Sequence, residues 1–184
     1  MTCTKPDKDI KIQINKNFTD IDFALPKLKK LINTVCLRFG KDEIINPDTA
    51  SMKYEISIVI VDDTQFKKIN QRFSRHGVIS DCLSFNLSDN KEHDSLKTFE
   101  LIINGQMAIR QATLRGLSGE SELALYITHA LLHNFGFDDI EPSMAQKMHE
   151  KEDEILQELG YGLVYNKNII TKKDINRHNR KYKK

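Results

Sequence analysis

The chain has little cysteine: three residues, Cys3, Cys36 and Cys82, among 184. They are scattered, odd in number and never spaced as CxxC, which argues against a disulfide framework and against a thiolate metal site. A reducing, cytoplasmic setting is the simple expectation. Long apolar runs are also missing. No stretch of about 18 apolar residues occurs, so no membrane-spanning helix is expected and no membrane partner with it. The opening MTCTKPDKDIKI lacks the apolar core of a secretory leader. Neither an internal repeat nor an interdomain linker is visible. With 39% hydrophobic residues, a chain of this length suits one domain around one sizeable core.

Charge is unevenly placed. The formal net charge is +2, but residues 161–184 carry eight Lys or Arg (Lys167, Lys172, Lys173, Arg177, Arg180, Lys181, Lys183 and Lys184) against Asp174. That tail is +7, so residues 1–160 sum to −5. The expected division is therefore a folded domain over residues 1–160 and a basic C-terminal tail over 161–184. Such a tail suits contact with nucleic acid, or simply forms a solvated terminus.

Periodicity predicts a strand at Asp9–Ile14, a helix over Leu28–Phe39 ended by Gly40, and a strand at Tyr54–Val61. A helix over Thr64–Phe73 follows, with Phe66, Ile69, Asn70 and Phe73 facing inward. Short strands are expected at Asp81–Asn86 and Thr98–Ile103, and a helix over Gln106–Leu114. Ser118 or Ser121 can cap a central helix at Ser121–Phe135, apolar nearly all round, and Pro142 opens a last helix to Leu159. This is an α+β class: a small central mixed sheet surrounded by helices.

The central helix carries HALLHNFGFDD. His129 and His133 stand four apart and share one helix face, so both rings can point at one ion. Gly136 can end the helix and turn the chain back, freeing Asp139 to supply a third ligand. Two imidazoles and one carboxylate leave a tetrahedral position open, the layout of a catalytic zinc site. The bland alternative is a pair of hydrogen-bonded core histidines. Ala130 stands where an HExxH metalloprotease carries its glutamate, so a peptide hydrolase would need a base from elsewhere, such as Asp138, Glu141 or Glu122. His76, His93, His149 and His178 sit in polar or charged surroundings and are not expected to be ligands.

The same residues resemble the HGxLHLxGYDH signature of the YbeY family of bacterial ribosomal-RNA maturation endoribonucleases. Asn70-Gln71-Arg72-Phe73 and Ser80-Asp81-Cys82-Leu83-Ser84-Phe85 resemble that family's Asn-x-x-Tyr-Arg and Thr-Asp-Val-Leu-Ser-Phe segments. Met148, Glu152, Ile155 and Leu156 resemble its downstream Met-x-x-x-Glu-x-x-Ile-Leu pattern. The resemblance spans about residues 54–159. It departs at Asp139, where the family carries a third histidine. It departs also at Ser74, where the family carries a basic residue, at Phe99-Glu100 for a Gly-Asp pair and at Ile79 for a proline.

The resemblance implies a metal-dependent, single-strand-specific endoribonuclease of ribosomal RNA maturation and ribosome quality control. One Zn2+ per chain would be held by His129, His133 and Asp139. An arginine, Arg72 or Arg75, would neutralise phosphate, since its planar fork matches phosphate oxygens, and Ser84 would hydrogen-bond the RNA backbone. The implied partners are ribosomal RNA and the small ribosomal subunit, with a small-subunit ribosomal protein among the candidates. A non-catalytic ribosome-assembly factor with a structural metal is the alternative reading.

Overall fold

A computed structural model of the chain describes residues 9–40, 53–73, 80–88 and 96–165. Four strands and five helices follow in the order β1 (Ile10–Lys16), α1 (Leu25–Phe39), β2 (Lys53–Val61), α2 (Asp63–Phe73), β3 (Cys82–Asn86), β4 (Leu96–Asn104), α3 (Gly105–Arg115), α4 (Gly119–Asn134) and α5 (Pro142–Glu158). The strands form one sheet in the order β1-β2-β4-β3. β1 and β4 run parallel to β2, while β3 pairs antiparallel with β4 at the edge. The sheet is small and mixed, and helices surround it.

Alternation along β2 decides which helix covers which face. Tyr54, Ile56, Ile58 and Ile60 are buried on one side, in register with Phe99, Leu101 and Ile103 of β4. They join Leu28, Leu31, Ile32 and Val35 of α1 and Leu123, Ile127 and Leu131 of α4 in the main core. The opposite face is thinner. Val61, Phe66 and Ile102 form a second cluster there, with Val59, Ile69, Leu83 and Phe85 packed against it. Each of the fully buried aliphatic side chains contributes about 1.5–3 kcal/mol by leaving water.

α4 is the centre of the molecule. Every residue from Ser121 to Leu132 except His129 is buried, which fits a helix that is apolar nearly all round. Ser118 caps it, accepting from the Ser121 N–H at 3.1 Å. The expected elements are present, with boundaries shifted by a few residues. Phe73, expected to face inward, is instead 59% exposed, and Met144 of α5 is 45% exposed where the apolar pattern of that helix places it inward. Phe73 lies in the last turn of α2, where it meets Phe85 edge to face at 4.9 Å. Residues 41–52 and 89–95, polar or charged in the sequence and read as loops, lie outside the described residues, as does the part of the basic tail from residue 166 onward.

Candidate metal centre

The geometry starts from how α4 ends. Gly136 has φ 85°, a backbone region that glycine enters without steric cost. Its N–H donates to the His133 carbonyl at 3.0 Å, and the Phe137 N–H donates to the Leu132 carbonyl at 3.1 Å. This pair of bonds is the Schellman closure of a helix C-terminus. It folds residues 137–139 back over the last turn. Phe137 then anchors edge to face on Phe39 at 5.2 Å, and its carbonyl comes to rest 3.0 Å from His133 Nδ1. Asp138 Oδ1 accepts from the backbone N–H groups of Asp139 and Ile140 at 2.7 and 3.1 Å, which fixes the turn. Asp138 therefore serves the backbone.

Both histidines are held by Nδ1 and present Nε2. His129 Nδ1 lies 2.7 Å from Glu152 Oε1, and the same carboxylate meets His149 Nδ1 at 2.8 Å through Oε2. The two Nε2 atoms are 3.0 Å apart. Asp139 approaches them with Oδ2 3.7 Å from His129 Nε2 and Oδ1 3.8 Å from His133 Nε2. The three ligand atoms lie within 4.8 Å of one another. A second group, His129, His149 and Glu152, meets the same criterion.

The donor chemistry fits a cation. A carbonyl can only accept, so His133 Nδ1 carries the proton and a neutral His133 leaves Nε2 as a bare lone pair. Glu152 is fully buried. Burial pushes its carboxyl upward, yet the hydrogen bonds from His129 and His149 outweigh that and hold it below the usual glutamate value. As an anion it accepts from His129 Nδ1–H, which leaves the second Nε2 bare as well. Two lone pairs facing each other repel unless a positive charge lies between them. Burial works against a charged His129, but Glu152, then Asp81 and Asp139, override it and raise its pKa above the ordinary histidine value. A divalent ion meets the same demand, since ligating histidines regularly donate their other N–H to a carboxylate or carbonyl.

These groups open on a groove of about 560 Å³, lined among others by Asp81, Arg115, Tyr126, His129, Asp139, His149, Glu152 and Tyr165. Arg115 is held there by an ion pair with fully buried Glu122 at 2.8 Å. Burial raises the Glu122 pKa, and Arg115 counters only part of that. Glu122 thus anchors an arginine. Arg110, by contrast, faces out and pairs with Asp63.

The expected ligands His129, His133 and Asp139 come together. Two other expected residues, Arg72 and Ser84, lie elsewhere. Arg72 is exposed on the last turn of α2, and Arg75 falls outside the described residues. Ser84 is half-buried on β3, paired with Leu101 on the face that α4 covers. Neither Arg72 nor Ser84 is among the groove's lining residues. Sequence reasoning named Glu152 only as part of the family pattern, without a role at the site, and did not expect His149 to take part. The available signal was Glu152 sitting on the buried stripe of α5 with Met148, Ile155 and Leu156. A carboxylate on such a stripe needs a partner.

A mixed sheet beneath a buried helix, with two imidazoles and a carboxylate clustered at an open groove that His129 and Asp139 line, defines an α+β metalloprotein whose ligand set leaves room for substrate. Comparison with known proteins sharpens this. The family model of endoribonuclease YbeY matches residues 13–160. An endoribonuclease YbeY from Caldicellulosiruptor bescii is 30% identical over 161 residues, covering 81% of this chain and 96% of its own. One from Lysinibacillus sphaericus is 33% identical over 141 residues, covering 72% and 87%. A Thermotoga maritima solution structure shares the fold, with TM-score 0.50 at 19% identity, over 80% of this chain and 90% of that one. The chain belongs to the YbeY endoribonuclease family.

Proposed function

We propose that the protein is a metal-dependent, single-strand-specific endoribonuclease of ribosomal RNA maturation and ribosome quality control. Zinc is the proposed ion, because two imidazoles and one carboxylate match its preferred ligands and leave a coordination position open. The observation that carries the proposal is the pair of opposed Nε2 atoms, 3.0 Å apart beside Asp139, next to a groove that His129, Asp139 and Arg115 line. Bound there, the ion supplies Lewis acidity toward a water or a phosphoryl oxygen.

The residues of the chain have separate tasks. The Phe137 carbonyl and Glu152 fix the two rings in the tautomer that binds metal. Glu122 keeps the Arg115 guanidinium in the groove, where its remaining N–H groups face a phosphate. Arg72 and Arg75 are assigned to the incoming RNA strand, and Ser84 to its backbone. What supports them is the place of Arg72 and Ser84 in the family segments, the place of Arg75 beside Ser74, where the family carries a basic residue, and the exposure of Arg72. Ribosomal RNA and the small ribosomal subunit are the proposed partners, through one of the subunit's proteins, in the cytoplasm.

The test is cleavage of ribosomal RNA fragments by purified protein, beside a chelated sample and His133→Ala. Cleavage lost in both controls is the expected result. RNA or ribosome binding without cleavage in the parent supports instead the assembly-factor reading, which the aspartate in place of a third histidine favours. Cleavage that survives both controls overturns metal catalysis by this site.

A further inference from the structure

Beyond α5 the chain turns back toward the groove. Gly160 and Gly162 take φ of 73° and 85°, which allows the reversal. Ser121 Oγ donates to the Tyr161 carbonyl at 3.1 Å. The backbone N–H groups of Val164 and Tyr165 both donate to Asp153 Oδ1 at 3.1 Å. Asp153 is 3% exposed and Val164 fully buried, so the segment is fastened from inside the molecule.

The fastening sets one side chain in place. The Tyr165 ring stacks on His149 with centroids 3.4 Å apart and planes 15° from parallel. His149 is itself held by Glu152. Tyr165 remains 38% exposed and lines the same groove as His129, Asp139 and Arg115. It stands outside the His129, His133 and Asp139 set.

The geometry points to Tyr165, backed by His149, as a stacking platform for an unpaired nucleobase of an RNA strand lying in the groove. The inference rests on the endoribonuclease reading and adds to it a base-binding subsite. Every base has a π-face, so an aromatic platform binds without strong sequence preference. A duplex keeps its bases stacked on one another and offers no free face, so a platform selects single strands. The ring is already pinned by stacking and by Asp153, so little side-chain entropy is lost on binding. Arg115 in the same groove suits the phosphates that accompany a base.

The test uses full-length, zinc-loaded protein and a short unstructured RNA containing 2-aminopurine, with its ribose 2′-hydroxyls methylated to slow cleavage. Stacking on an aromatic ring quenches 2-aminopurine fluorescence. Tyr165→Ala is expected to bind about ten-fold more weakly and to lose most of the quench. Tyr165→Phe should keep both, with the same metal content as the parent. Tyr165→Leu preserves apolar bulk against the body and should bind as weakly as Tyr165→Ala. Parent-like binding and quench in Tyr165→Ala overturn the platform. Parent-like binding in Tyr165→Leu also overturns it, because bulk and not an aromatic face would carry the contact. A parent that binds with quench but cuts no unmethylated RNA overturns the endoribonuclease reading and leaves the platform standing. A parent that binds no single strand overturns both.

Discussion

His133 depends on a main-chain carbonyl for its tautomer, whereas His129 depends on a buried carboxylate, and the two supports fail differently. Glu152→Gln keeps the shape but removes the charge that orients His129. Metal affinity should fall about ten- to a hundred-fold, measured by competition with a chromophoric chelator. The substitution also changes the pH dependence of metal-free protein. Glu152 has a lowered pKa in the folded state. Its stabilising contribution is therefore present above the ordinary glutamate value and is lost as pH falls through the lowered one. Acid unfolding of Glu152→Gln should show a shallower loss across that window than the parent. His129 and His133 were legible from sequence because four-residue spacing puts two rings on one helix face. Glu152 was not, since 23 residues separate it from His129 and no local rule joins α5 to α4. His149 read as one more polar residue in a charged helix, and only packing revealed that it shares the Glu152 carboxylate.

At the scale of elements, the closure of α4 decides whether three ligands meet. Gly136 is the hinge of that closure, and its φ of 85° strains any other residue. Gly136→Ala should cost about 1–2 kcal/mol in chemical unfolding. It should also lower metal affinity, because the Phe137 carbonyl would shift from His133 Nδ1. Unchanged affinity in a destabilised Gly136→Ala would separate the turn from the site. The elements themselves were readable: β2 by its alternation, α4 by its unbroken apolar surface and α5 by its proline start. The groove was not. It forms where α4, α5 and the segment ending at Tyr165 converge, and no periodicity within one element encodes that meeting. Arg115 illustrates the point. In the sequence it reads either as a solvated cation near the end of α3 or as a residue lining a phosphate path, and only the ion pair with buried Glu122 holds it at the groove.

Across the whole molecule, charge sets how RNA would be met. Residues 1–160 sum to −5 and the tail 161–184 to +7. An anionic body opposes a polyanion except at local cations such as Arg115. Deleting residues 167–184 should weaken RNA binding and flatten its salt dependence if the tail lysines meet phosphates. Metal content should stay the same. No change in affinity or in salt slope would leave the tail as a solvated end.

The central claim is that one divalent ion sits between His129, His133 and Asp139. Anomalous X-ray diffraction at the zinc edge, on crystals of zinc-loaded protein, tests it directly. One strong peak is expected within bonding distance of both Nε2 atoms and an Asp139 oxygen, about 2.0–2.2 Å from each. A peak between His149 and Glu152, with His133 bonded only to the Phe137 carbonyl and Asp139 turned to solvent, would contradict it.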